Sequence, residues 1–114
     1  MKIINSTKQT ILSENAQMAD TPFSRIKGLL GRAALERGEA LVITHCRSIH
    51  MFFMKFAIDA IFVDRKHRVV GIVENIKPFR MSPYFLFSSY VIEIPVGKIK
   101  ESLTEKGDEI VIER

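Results

Sequence analysis

Apolar residues in this chain occur in short runs separated by polar or glycine- and proline-containing segments, a pattern typical of β-strands. The longest apolar run, HCRSIHMFFMKFAIDAIFVD, covers residues 45–64. Its Phe, Ile, Val and Met content predicts one or two strands through the middle of a core, with a bend near Ala57. The run ALVIT at 40–44 predicts a buried strand before it. The run VVGIVENI at 69–76 predicts a returning strand, reached through a charged hairpin tip at 64–68.

Further short runs predict the remaining strands. KII at 2–4 and TILS at 10–13 flank a polar turn and predict a hairpin at an edge. YVIEI at 90–94 predicts a strand that ends at Pro95. EIVIE at 109–113 alternates acidic and apolar residues, as expected for a last strand with one solvated face.

Two segments have helical spacing. Asp-Thr-Pro at 20–22 predicts a helix start, because Asp or Thr can cap and Pro suits the first turn. The helix is expected to end at Gly31 and to face the core with Phe23, Ile26 and Leu30.

The second predicted helix begins at Gly97 and ends before Gly107. Val96, Ile99 and Leu103 are expected on one apolar face. These elements together predict an α+β fold, mainly β, with about six to eight strands in a twisted, mostly antiparallel arrangement. The sheet is expected to curl into a small barrel or sandwich, packed by helices 21–30 and 97–104, as a single domain over residues 1–114.

The segment PFRMSPYFLFSS at 78–89 is unusually aromatic for a predicted loop. Either it folds back as a lid over an open end of the core, or it forms a contact surface. A protein partner or a lipid interface would then meet the part between Phe79 and Phe87.

Composition narrows the class of protein but not the function. Hydrophobic residues make up 46% of the chain and charged residues 26%, as in globular proteins. Seventeen basic against 13 acidic residues give a net charge of +4, which permits an anionic partner without requiring one. The basic residues are scattered and do not alternate with aromatics, so we expect no nucleic-acid partner.

Location is predicted from the apolar segments and the cysteine count. No apolar segment reaches the roughly 20 residues of a transmembrane helix. MKIINSTKQT lacks the apolar stretch of a secretion signal, so we expect a cytoplasmic protein. The single cysteine, Cys46, excludes an internal disulfide framework and fits a reducing compartment.

Charged side chains from three distant segments are the main candidates for a ligand site. Arg25 and Arg32 bracket RIKGLLGR and are either solvated or hold a carboxylate or a bound anion. Asp59 and Glu93 lie inside apolar runs and could supply that carboxylate, while Lys55 could pair with Asp59. If the five converge, the arginines would orient an anionic group, and the carboxylates would hold the arginines or accept donors from the ligand.

Soft ligands near the start of the long apolar run suggest two other kinds of site. Cys46, His50 and Met54 are residue types that copper(I) prefers, although methionine beside phenylalanine usually fills a core. Cys46 with His50 could form a nucleophilic pair, the alternative being a buried, inert thiol. The chain has no glycine-rich phosphate loop, serine elbow or paired-carboxylate motif, and no cofactor is expected.

Four sequence blocks carry a family resemblance. They are RIKGLLGR (25–32), the turn and strand before ALVI, IHMFFMKFAIDAIFVD (49–64) with VVGIVENI after its hairpin, and VIEIPVGKI (91–99) followed by KGDEI (106–110). On these blocks the chain resembles the bacterial and archaeal family called domain of unknown function 192. Phe53 and Ala57 depart from the tryptophan and proline frequent there. The resemblance implies a compact, mainly β domain and brings no established activity.

Three functions follow as hypotheses. The first is a non-enzymatic binding or accessory domain for a small anionic ligand or a protein partner. The second is a small enzyme with Asp59 or Glu93 as general base and a cation stabilising developing negative charge. The third is a soft-metal binder through His50, Met54 and Cys46.

Overall fold

The structure, a computed structural model, describes residues 1–52 and 54–114, and the backbone but not the side chain of Ile26. The predicted positions of the Ile26 side chain and of Phe53 lie outside the described residues. Within this part the chain forms eight strands and two short helices. In chain order they are β1 Lys2–Asn5, β2 Thr10–Ser13, β3 Asn15–Ala19, α1 Pro22–Lys27, β4 Glu39–Thr44, β5 Ile58–Val63, β6 Val69–Ile76, β7 Tyr90–Ile94, α2 Lys98–Glu101 and β8 Ile110–Glu113.

The strands form two sheets in a sandwich-like arrangement. The smaller sheet has the order β2-β1-β8, and the larger has the order β3-β4-β7-β5-β6. The pairings are antiparallel except that of β3 with β4, which is parallel. The prediction of a mainly β fold is therefore confirmed. Of the two predicted forms, the structure has the sandwich and not the closed barrel. Neither helix is long and apolar enough to cross a bilayer.

The larger sheet carries a hydrophobic core on each face, which explains why β5 and β7 are buried throughout. One core lies between the two sheets and includes Ile3, Ile61 and Ile92. The other includes Ala60, Phe62 and Met51. Side chains alternate along a strand, so neighbouring positions of β5 and β7 point into different cores.

The hairpin between β5 and β6 is confirmed, with Val63 paired to Val69. Its turn needs no glycine, because His67 adopts the left-handed conformation with φ 64°. The Asp64 carboxylate accepts hydrogen bonds from the backbone N–H groups of Lys66 and Arg68, each 2.9 Å long. His67 is exposed at this tip, and its Nδ1 lies 2.9 Å from the hydroxyl of Tyr90.

The strand predicted over the first half of residues 45–64 is wrong. Regular structure resumes only at Ile58, and the described residues from His45 to Ala57 form an irregular segment with one isolated bridge, between His50 and Met81. Backbone hydrogen bonds tie this segment to the 78–89 loop: the Met51 N–H donates to the Arg80 carbonyl over 2.7 Å. The two irregular segments pair some of each other's backbone N–H and C=O groups. Apolar residues such as Met51 are therefore buried there without a β-ladder.

Both helices are shorter than predicted. Thr21 caps α1 through the backbone N–H of Ser24, but Gly28 leaves the helical conformation with φ 48° and ends the helix before Gly31. Phe23 is 76% exposed, so its predicted core position is wrong. In α2 and its flanks, Ile99 is buried, whereas Val96 and Leu103 are 48% and 63% exposed. These short helices therefore present a narrower apolar face than their sequences suggested.

The aromatic loop turns one of its four rings inward. Phe85 stacks on Phe62 with ring centroids 4.6 Å apart and lies directly over Gly71, where a side chain would collide with the ring. Phe79, Tyr84 and Phe87 are each more than 60% exposed. The loop thus covers one end of β5 and β6 while most of its apolar area faces outward.

Candidate functional site

A cleft of about 470 Å³ opens on the side of the larger sheet away from the smaller one. Its walls are the turn after α1, the end of β4 and the irregular segment that follows β4. Most of the lining is apolar and includes Leu29, Ile43, Ile49, Met51 and Met54. Small-molecule sites are generally of this kind: concave, apolar and with a few polar groups.

Glu93 supplies the most unusual polar group of the cleft. It lies in β7, paired with Leu41 on one side and Ala60 on the other, and is only 6% exposed. Among the described residues no side chain or backbone group donates a hydrogen bond to its carboxylate. Burial raises the pKa of Glu93 to about 7, since the charged form loses its hydration without gaining a partner. Near neutral pH the group is therefore poised between acid and carboxylate.

Cys46 and Arg25 line the same cleft. The thiol Sγ lies 3.2 Å from the carbonyl of Ser48, to which it donates a weak hydrogen bond. Burial, and then the negative charge of Glu93, raise the pKa of Cys46 to about 11, against the opposing effect of Arg25. The residue is thus a protonated thiol at neutral pH and a poor nucleophile.

Arg25 lies at the side of the cleft and is not paired with Glu93. Its Nη2 donates to the backbone carbonyl of His45 over 3.4 Å, a long hydrogen bond. The ion pair between Arg25 and Glu93 that the sequence allowed is absent from the described residues. Its guanidinium therefore keeps donors that a bound anion could use.

Asp59 has a structural environment. It is fully buried, and its pairing with Ile94 places it on the opposite face of the sheet from Glu93. Its Oδ1 accepts from the Asn75 N–H at 2.8 Å. Its Oδ2 accepts from the N–H groups of Gly97 and Ile99 at 3.1 and 3.0 Å, where α2 begins. The carboxylate therefore joins β6 and α2 to β5.

The other two charged candidates lie away from the cleft. Arg32 pairs with Glu39 at 2.9 Å. Lys55 is exposed and does not pair with Asp59 in the described part of the chain. Of the five charged candidates, the structure brings together Arg25 and Glu93 and separates Arg32, Lys55 and Asp59 from them.

The soft-metal candidates Cys46, His50 and Met54 all line the cleft. His50 is exposed, with its ring centroid 5.4 Å from that of Phe52. Within the described residues, no three His, Cys, Asp or Glu side chains are grouped closely enough to hold a metal ion. A site here would have to rely on methionine sulfur.

Sequence reasoning missed the apolar walls of the cleft. The apolar pattern predicts a strand through Ile49 and Met51, and a strand does not place them opposite Leu29. One signal was available, because Glu93 is an acidic residue flanked by β-branched residues in a short strand. Glu93 lies near Cys46 because β4 pairs with β7, and no local sequence pattern reveals that pairing.

Comparison with known proteins places this fold and sequence among several similar chains. The model of the family DUF192, described as Uncharacterized ACR, matches residues 3–112. A UPF0127 protein of Thermococcus sibiricus is 36% identical over 112 residues, covering 95% of this chain and 72% of the relative. A UPF0127 protein of Pyrococcus horikoshii is 38% identical over 112 residues, covering 95% of this chain and 96% of the relative.

A solved structure has the same fold. It is a protein of unknown function from Novosphingobium aromaticivorans, with a TM-score of 0.86 and 22% sequence identity, covering 98% of this chain and 84% of that one. At this identity the likeness concerns the fold alone. None of these three names states an activity.

Proposed function

The chain belongs to the DUF192 family, and we propose that its cleft binds a small organic ligand without transforming it. The observation that carries this proposal is the Glu93 carboxyl, which is buried, faces the cleft and accepts no hydrogen bond from the described residues. Among the described residues no side-chain oxygen or nitrogen is sealed from solvent without a partner, so the Glu93 oxygens are accessible from the cleft. A ligand that donates to Glu93 would make a hydrogen bond in an apolar surrounding, where such a bond is stronger than in water.

The remaining lining defines the class of ligand. Arg25 supports an anionic group on the ligand, and Lys27 and His45 line the cleft beside it. The walls around Leu29 and Met51 fit an apolar body. We therefore propose a small molecule with one anionic group, an apolar body and a hydrogen-bond donor, such as an ammonium group.

Matched probes test this proposal. Phenylalanine carries an anionic group, an apolar body and an ammonium donor, whereas 3-phenylpropionate lacks only the donor. We expect the thermal unfolding midpoint to rise with phenylalanine, and with related amino-bearing carboxylates, more than with the partners that lack the amino group.

Three variants locate the effect. Glu93→Gln should remove the advantage of the amino group, and Arg25→Gln should weaken both probes. Lys55→Gln is the matched control, since it removes an exposed charge outside the cleft and should leave the shifts unchanged. Equal shifts in Glu93→Gln and the native protein, or no shift with any probe, would contradict the proposal.

A second candidate function is acid–base catalysis by Glu93. It is favoured by the pKa near 7, since a general base works best when its pKa lies close to the operating pH. Of the two carboxylates predicted for this role, Asp59 is already occupied by three N–H groups and lies away from the cleft. Turnover of a 4-nitrophenyl ester panel should then inflect near pH 7 and vanish in Glu93→Gln, although this variant is expected to be folded and at least as stable as the native protein. Turnover that survives this substitution rules out the role.

The third hypothesis, a soft-metal site, is supported by the shared position of Cys46, His50 and Met54 on the cleft. Titration with copper(I) of the native protein and of His50→Ala tests it. Weaker binding in the variant supports the site, and unchanged binding removes it.

A further inference from the structure

We propose that a second surface, which adjoins the cleft and shares His45, Cys46 and Ser48 with it, docks this protein onto membranes that contain anionic lipids. It is a broad concavity between the aromatic loop and the β5–β6 turn, called here the basic–apolar surface. The residues that define it are Arg47, Arg65, Lys66, Tyr84, Leu86 and Phe87. The inference does not depend on the function proposed for the cleft.

The apolar part of this surface is an exposed tip. Leu86 is 59% exposed and Phe87 76% exposed, at the central positions of a turn closed by the 3.0 Å hydrogen bond from the Ser88 N–H to the Phe85 carbonyl. Phe85 anchors the turn by packing on Phe62. The two large side chains are thus held outward on a fixed base, and exposing them to water is unfavourable.

The charged part flanks that tip. Arg47 and the pair Arg65 and Lys66 are exposed on the same surface. The carboxylate lining it, Asp64, already accepts two backbone hydrogen bonds within its own turn. Among the described residues Arg47, Arg65 and Lys66 form no ion pair, and they outnumber the single carboxylate of Asp64, so the surface keeps a net positive charge. Apolar side chains beside such charges match the interface of an anionic bilayer, where acyl chains lie beneath phosphate groups.

Other partners fit this surface less well. Two copies of the chain joined through it would bring Arg47, Arg65 and Lys66 close to the same residues of the other copy, and like charges oppose that contact. A nucleic acid would use the cations and could stack on Tyr84, but it offers nothing to the aliphatic Leu86. A bilayer uses both the charges and the apolar tip.

Sedimentation of the full chain with vesicles tests the proposal. We expect binding to phosphatidylcholine vesicles that contain phosphatidylserine, weakening as salt is raised, and little binding to pure phosphatidylcholine. Leu86→Ser with Phe87→Ser should lower the partition coefficient at least tenfold, since the buried apolar area is lost. Phe23→Ser is the matched control, because Phe23 is also 76% exposed but lies on α1, and its partitioning should be unchanged.

The charges are tested separately. Arg65→Gln and Lys66→Gln should each weaken partitioning roughly fivefold, as expected for one basic residue near an anionic surface. Lys106→Gln removes an exposed charge on the turn before β8 and should have no such effect. Melting curves check that each variant is folded. If the Leu86/Phe87 variant does not fold, the charge variants still test the proposal.

Three results would overturn the proposal. One is equal binding to neutral and anionic vesicles. Another is equal loss of binding in Phe23→Ser and in the Leu86/Phe87 variant. The third is a lack of binding to anionic vesicles, together with one of two other results. These are binding to a labelled oligonucleotide, or self-association that Phe87→Ser abolishes.

Discussion

Two carboxylates on adjacent strands, Asp59 and Glu93, have opposite surroundings. Asp59 is held by three backbone N–H groups on one face of the larger sheet. Glu93 lies on the other face, at the cleft, without a donor from the described residues. Bound donors favour the charged form of a carboxylate, whereas burial alone disfavours it. The two residues should therefore respond in opposite ways to loss of charge.

Glu93→Gln should stabilise the protein above neutral pH. The pKa of Glu93 is raised from 4.5 to about 7 in the folded state, so the native protein loses stability as pH rises between these values. The loss amounts to roughly 3 kcal/mol and should vanish in the variant. Urea unfolding at about pH 5 and pH 8 measures it. Asp59→Asn is the contrasting variant and should cost roughly 3 kcal/mol at both pH values.

An unchanged or lower stability of Glu93→Gln at the higher pH would show that the carboxylate has a donor after all. A mild effect of Asp59→Asn would show that its three hydrogen bonds contribute little.

Cys46 should react slowly with alkylating agents, at a rate set by its neighbours. Because the thiol pKa is about 11, iodoacetamide labelling at about pH 8 should be roughly tenfold slower than that of a free cysteine. Glu93→Gln should accelerate labelling by removing a nearby negative charge, and Arg25→Gln should slow it. Mass spectrometry of the labelled protein gives the rates. Changes of the same sign in both variants would contradict the electrostatic explanation.

At the scale of elements, the aromatic loop is fastened to the sheet by the contact between Phe85 and Gly71 on β6. Gly71→Ala places a methyl group where the Phe85 ring lies, and we expect a loss of about 1–3 kcal/mol in unfolding free energy. Phe85→Ala empties the space, so the double variant should lose less than the sum of the single losses. Thermal and urea unfolding of all three variants complete the cycle. Additive losses would mean that the loop is held by other contacts.

Sequence patterns predicted the elements whose apolar residues repeat with the period of a strand. β4, β5 with β6, β7 and β8 were expected close to their observed bounds, because buried β-branched runs with polar ends have few alternatives. The stretch from His45 to Ala57 is also rich in apolar residues but forms no ladder, because its backbone bonds to the 78–89 loop. Of its described residues only Ile49, Met51 and Met54 are buried. Apolar composition there predicts neither the backbone conformation nor the extent of burial.

The candidate site was predictable only in part, for a related reason. An acidic residue inside an apolar strand identified both Asp59 and Glu93 as unusual, but the two differ in which face they occupy. That difference follows from strand register, and register depends on pairings between residues far apart in the chain. Whether backbone donors reach a carboxylate is likewise decided by tertiary structure.

At the scale of the whole molecule, a buried polar cluster joins the two ends of the chain. Asp108 is 3% exposed and accepts hydrogen bonds from Asn5 at 2.9 Å, from Lys8 at 2.9 and 3.0 Å, and from the Glu105 N–H at 3.0 Å. Burial works to raise the pKa of Asp108, but these hydrogen bonds outweigh it and the pKa is lowered. The cluster lies beside the pairing of β1 with β8.

Acid should therefore loosen this part of the molecule. Because the pKa of Asp108 is lowered on folding, its contribution is present above the unfolded value of 3.8 and is lost as pH falls through the lower folded value. Asp108→Asn should cost about 2 kcal/mol near neutral pH and reduce the decline in stability between roughly pH 5 and pH 2. Urea unfolding across that range measures both effects. An equally steep decline in the variant would assign the acid sensitivity to other groups.

Lys2 and Glu113 are opposite each other in the pairing of β1 with β8. Neighbouring strands lie about 4.8 Å apart, so a linker of a few residues would connect Met1 to Arg114 without disturbing either strand. The two ends of the polypeptide could then be joined and the chain opened at the exposed Ala33–Ala34 stretch, giving new termini far along the chain from the original ones. Such a rearranged chain keeps every side chain and alters only the order in which the strands are synthesised.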